Sequence, residues 1–222
     1  MDGSLLSTPS GSSGVGVVRV DGGTIEVPAR LTQGVTIGYG NSEISVDLPG
    51  SRTADDAAVL SDGTVVYPSE RFSNAVIVSD RGVQMLTTIP DASAPTAFSY
   101  EVALRPGQRL TLVDGGGVAV IDADGTIVAG VAAPWARDAN GDAVATRYVV
   151  EGSKLTQVVD HSAADIEYPV IADPFWLAPW IVRCLIGIGL NGPQISRIAS
   201  AGSPGSILAA FGFGALRCVL GR

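Results

Sequence analysis

The sequence predicts a mainly β protein: an antiparallel β-sandwich of about a dozen strands followed by a small C-terminal α-helical hairpin. Three observations carry that reading. Short apolar alternations of strand length recur from Gly14 to Asp173 between glycine-bearing turns, and no run of helical period and ordinary helix length occurs before residue 175. Further on, the apolar runs lengthen and are broken only at Asn191-Gly192-Pro193 and Gly202-Ser203-Pro204-Gly205. Charge changes sign at the same place. Residues 174–222 hold Arg183, Arg197, Arg217 and Arg222 with no acid, so a tail of +4 leaves −12 for the rest of a chain whose net charge is −8. With 46% hydrophobic and 16% charged residues, the chain has the composition of a packed protein rather than a disordered one.

In chain order, MDGSLLSTPSGSSG has neither a basic n-region nor an apolar h-region and reads as a flexible leader. The expected division is therefore a leader at 1–13, an all-β module at 14–173 that folds alone, and a cationic apolar tail at 174–222. GVGVVRV, the turn at Asp21-Gly22-Gly23 and TIEVP form a first hairpin, and EISVDL follows GYGNS. AAVL and TVVY flank Ser61-Asp62-Gly63, and NAVIVS and VQMLTTI flank Asp80-Arg81-Gly82. FSYEVAL and QRLTLV lie on either side of Arg105-Pro106-Gly107, and VAVID and TIVAGVA on either side of Ala123-Asp124-Gly125. AVATRYVV, KLTQVVD and EYPVIA complete the run.

In the tail, FWLAPWIVRCLIGIGL predicts an apolar helix that begins near Ala178 or Pro179, because proline is tolerated in a first helical turn. PQISRIAS gives a short second piece and SILAAFGFGALRCVL a third helix. Gly187, Gly189, Gly212 and Gly214 allow the two long helices to approach closely. Both cysteines, Cys184 and Cys218, lie near the ends of the tail. They are either two buried thiols or a disulfide that staples the helical hairpin, and the disulfide is the expectation. Such a bridge would stabilise the folded tail by roughly 3 to 4 kcal/mol in the chain-entropy model. It implies an oxidising location, extracellular or in the cell envelope.

Sites for chemistry are few. Asp138, Asn140 and Asp142 alternate as calcium ligands do, but glycine stands at the fourth position of that loop rather than the sixth, and Val149 at the twelfth. An Asn140-Gly141 turn accounts for the same residues. His161 is the only histidine, and its neighbour Asp160 points to the opposite face of a strand, so the pair is not an oriented base. No nucleophile elbow, zinc-helix or cofactor motif occurs, and the negative charge disfavours nucleic acid as a partner. Trp176, Trp180, Phe211 and Phe213, with Arg183, Arg197 and Arg217, are the candidate membrane- or partner-binding residues. Aromatic rings suit a bilayer interface and arginines suit anionic lipid.

The segment from Ala133 to Pro174, with PWARDANGDAVATRYVVEG, LTQVVDHS and EYPVIADP, resembles a β-rich module of exported bacterial proteins. It is similar to the module that precedes the repeats in YD-repeat, wall-associated and polymorphic-toxin proteins, and to short actinobacterial secreted proteins. The shared features are Pro134 and Asp138 ahead of a strand pair, and Tyr168-Pro169-Val170 leading to Asp173-Pro174. The resemblance implies a non-catalytic β-domain followed by a variable part. Here the cationic tail follows in place of YD repeats or a large effector domain.

The expectation is therefore a non-enzymatic exported β-module that carries a disulfide-closed, membrane-active peptide of bacteriocin-like or effector type, released by a cut between Asp173 and Trp176. The alternative is a structural or adhesive envelope protein whose tail covers or anchors the β-domain, with an envelope protein as partner. A third class is an exported hydrolase using a carboxylate pair that the sequence does not single out.

Overall fold

A computed structural model describes residues 14–20, 23–40, 42–163, 165–201 and 204–220. The leader at 1–13, the Asp21-Gly22 turn, Gly202-Ser203 and Arg222 lie outside the described residues.

Among the described residues, seventeen strands, numbered in chain order, form two antiparallel sheets packed as a sandwich. The first sheet runs β1 (Gly14–Val20), β2 (Gly23–Pro28), β3 (Val35–Tyr39), β4 (Ser42–Asp47), β9 (Ala97–Val102), β15 (Lys154–Val159), β14 (Thr146–Glu151). The second runs β10 (Arg109–Leu112), β11 (Val118–Ile121), β12 (Ile127–Val131), β17 (Phe175–Leu177), β8 (Gly82–Ile89), β7 (Ser73–Ser79), β6 (Val65–Tyr67), β5 (Ala58–Val59). In that second sheet β16 (Val170–Asp173) also pairs with β8, and β13 (Trp135–Arg137) pairs with β16.

Strand alternation builds the core. In SNAVIVS, Asn74, Val76 and Val78 are buried and the residues between them are half-exposed; on the neighbouring β8, Val83, Met85, Thr87 and Ile89 point inward. Phe98, Tyr100, Leu155 and Val159 of the first sheet belong to the same core. Each fully buried Val, Ile, Leu, Met or Phe side chain among these stabilises the fold by about 1.5 to 3 kcal/mol.

Strands β16 and β17 lie end to end along β8. Val170 to Ala172 oppose Ile89 to Thr87, and Phe175 to Leu177 oppose Gln84 to Gly82; across the break Met85 N donates to the Pro174 carbonyl at 3.0 Å. On the far side β17 pairs with β12. This corrects the expected boundary: the sheet does not end at Asp173 but continues to Leu177.

The tail then forms α1 (Pro179–Gly187), α2 (Gly192–Ala199) and α3 (Pro204–Leu220). Pro179 opens α1, and Ile181, Val182 and Leu185 are buried. In α2 a capping box closes the N-terminus: Gln194 N donates to Asn191 Oδ1 at 3.1 Å and Asn191 N donates to Gln194 Oε1 at 2.9 Å. Gly212, at φ 80° and ψ 179°, breaks the helical geometry of α3. Helix α1 lies against β12 and β3, α2 against β12 and β11, and α3 against α1. The expected hairpin is thus the α1–α3 pair with α2 intervening. Cys184 and Cys218 are bonded, with Cα atoms 5.5 Å apart and a sequence separation of 34.

Candidate functional site

The tail is fitted to the sandwich side chain by side chain. Trp176 faces inward from β17 and is fully buried; Trp180, on α1, is 9% exposed and lies against Tyr39 at 6.2 Å between ring centroids. A Cβ on Gly23 would fall 2.1 Å from the Trp180 ring, and a Cβ on Gly117 would fall 1.8 Å from Ser196 Oγ of α2. Two glycines of the β-module are therefore contact surfaces for two tail helices. Ala133 N also donates to Ser200 Oγ, just past α2, at 3.1 Å.

This divides the expected binding residues. Trp176 and Trp180 are inside, contrary to their reading as interfacial groups, because one sits in a paired strand and the other on a glycine. Phe211 is half-buried with the Arg197 guanidinium 5.9 Å above its ring, and Arg217 is exposed near the end of α3. Phe213 is 65% exposed, and Leu208, Leu220 and Ile188 are also exposed. Ile188 reaches α3, with its Cδ1 3.4 Å from where a Cβ on Gly214 would lie. Sequence reasoning missed Leu208, Leu220 and Ile188, since which face of an all-apolar helix turns outward is decided by packing. Among the described residues, no helix is long and apolar enough to cross a membrane.

Arg183 stands elsewhere, over the Tyr39 ring at 5.8 Å, and makes no ion pair among the described residues. It lines a cavity of about 530 Å³ together with Tyr39, Asp122, Ile127, Val128 and Ile186.

The catalytic and metal candidates are engaged in structure. His161 is fully buried, with Nε2 3.0 Å from the Pro95 carbonyl and Nδ1 3.0 Å from the Tyr168 hydroxyl, which also donates to the His161 carbonyl at 2.5 Å. Asp138 Oδ1 accepts from Asn140 N and Asp142 N, and Oδ2 accepts from Glu167 N, which ties the 138–142 turn to the start of EYPVIA. Burial raises the Asp138 carboxyl, but the backbone N–H groups of Glu167, Asp142 and Asn140 outweigh it and hold its pKa below the usual range. Gly141 takes φ 86°, as the turn reading requires. Among the described residues, no three His, Cys, Asp or Glu side chains group as a metal site.

One buried acid was not singled out by sequence. Asp173 is 1% exposed; its Oδ2 accepts from Gln84 Nε2 at 3.0 Å, and its Oδ1 has no well-aligned partner. Burial pushes its pKa up to about 7, against the pull of Gln84 and of the Trp135 N–H groups on the paired strand. The phenols of Tyr148 and Tyr100 are raised by the same burial and by the Asp173 charge. Asp173 lines a cavity of about 240 Å³ together with Arg81, Trp135 and Phe175, and with Ala199, Ser200 and Ala201 at the end of α2.

No protein-family model matches the chain, and no curated protein matches it.

Proposed function

We propose that this chain is an exported, non-enzymatic β-module whose helical tail stays docked on the sandwich and makes peripheral contact with an anionic lipid surface. The observation that carries the reading is the exposed apolar surface of α3 on both sides of the Gly212 break: Leu208 before it and Phe213 and Leu220 after it, with Ile188 from the end of α1, are exposed on a tail that has arginines and no acid. Transfer of such side chains into an interface contributes up to about 1.5 to 3 kcal/mol each. Each arginine near an anionic surface adds about 1 kcal/mol. The −12 charge of the remaining chain opposes approach, but screening confines that repulsion to about 8 to 10 Å at physiological salt, which favours a tail-first encounter. Export is supported by the Cys184–Cys218 bond and agrees with the resemblance of Ala133–Pro174 to modules of exported bacterial proteins.

A second reading, a bacteriocin-like or effector peptide released from the module, is favoured by one observation: both ends of the disulfide lie inside the tail. Release between Asp173 and Trp176 requires a cut in backbone paired with β8, beside a fully buried tryptophan. That cost makes the docked reading the better supported one.

Co-sedimentation of the oxidised full chain with phosphatidylglycerol vesicles tests it. Binding at low salt that weakens with added salt and is lost in Phe213→Asp supports the reading. Absence of binding contradicts it.

A further inference from the structure

The cleft beneath α1 is built differently from the α3 face and stands apart from the lipid-surface reading. Arg183 and Ile186, with Pro179 a turn earlier, lie on one stripe of α1; Tyr39 comes from the first sheet, and Asp122, Ile127 and Val128 come from the second. The cavity of about 530 Å³ falls within the range of small-molecule sites, about 300 to 1,000 Å³. Gly187 borders it with nothing within 4 Å of where its Cβ would be, so the end of α1 leaves the mouth open.

We infer that this cleft binds a single-chain aliphatic carboxylate, its head on Arg183 and its chain along Ile127, Val128 and Ile186. The Arg183 guanidinium is held over Tyr39, makes no ion pair among the described residues, and has a planar fork that matches a carboxylate. Asp122 is the one acid of the lining, and its Oδ1 already accepts from Gln108 Nε2 at 3.0 Å. Arg183 is the one cation of the lining and Asp122 already offsets part of its field, so each further negative charge on the head is more poorly compensated and a monoanionic carboxylate is favoured over a dianionic phosphate monoester. Apart from the Tyr39 ring under Arg183, the apolar lining is aliphatic, Ile127 and Val128 from the sheet side and Ile186 from α1, which fits an alkyl chain.

Isothermal titration of the oxidised full chain with decanoate, decyl phosphate and decyltrimethylammonium tests the inference. Saturable one-to-one binding of decanoate is expected, with decyl phosphate weaker and the cation not bound. Arg183→Gln should lower decanoate affinity roughly tenfold or more, with Arg183→Lys intermediate. Thr126→Trp, at an exposed position of the lining, should block the cleft; all three variants are checked for an unchanged melt. Phe213→Asp should leave decanoate binding intact, which separates failure at this cleft from failure at the α3 face. No saturable decanoate binding, equal binding of the cation, or binding indifferent to Arg183→Gln in a folded variant would overturn the proposal.

Discussion

The Trp180 ring of α1 rests directly on Gly23 of β2, where even a methyl group would lie 2.1 Å from the indole. Gly23→Ala is therefore expected to push α1 off its seat and destabilise the protein by roughly 1 to 3 kcal/mol. Gly187→Ala, where the added carbon meets nothing within 4 Å, should be neutral or slightly stabilising. Thermal melts followed by near-ultraviolet circular dichroism of the tryptophans check both.

A chain ending at Asp173 should not fold as an independent module. It lacks β17, which fills the gap between β12 and β8, and loses Trp176 from the core, a removal that costs about 3 to 5 kcal/mol before the unpaired strands are counted. A chain ending at Leu177 keeps both and should melt at a higher temperature than the shorter one. An equally cooperative melt for the shorter chain would contradict the integration of the tail.

The buried carboxyl of Asp173 makes stability pH-dependent with a defined sign. Its pKa is raised from 3.8 to about 7, so between those values the folded state holds a proton that the unfolded state has released. Its contribution is fully favourable below about pH 4 and is lost as pH rises to about 7. Asp173→Asn should remove that loss, with little effect at pH 4 and a gain on the order of a few kcal/mol at pH 8. The denaturation midpoints of both proteins at pH 4 and pH 8 decide the matter.

Much of the fold is legible in the sequence because period-2 alternation and aspartate-glycine turns are local signals. Fourteen of the seventeen strands fall on the alternating segments. The missed ones lack that signal: VTIGY runs into the Gly40 turn, WAR is three residues on a sheet edge, and FWL is continuous with the apolar helix after it. Of the candidate site, the charge contrast and the Cys184–Cys218 pairing were readable. Which aromatic faces outward was not, because Trp176 and Phe213 differ in what packs on them rather than in chemistry. Nor did spacing indicate that Arg183 would be drawn toward Tyr39.

Breaking the Cys184–Cys218 bond removes a 34-residue loop constraint from the unfolded chain. Cys184→Ser with Cys218→Ser should lower stability by roughly 3 to 4 kcal/mol in the chain-entropy model. Urea unfolding of the double variant measures it, and intact mass after alkylation without reductant should show no free thiol in the parent protein.

Hydrogen–deuterium exchange of the oxidised full chain, with and without phosphatidylglycerol vesicles, tests most directly whether the tail meets lipid while docked. Slower exchange confined to α3 and the end of α1 is expected on vesicle binding, with Phe175–Leu177 of β17 as protected as in the free protein. Faster exchange in β17, or no change in α3, would contradict docked lipid contact.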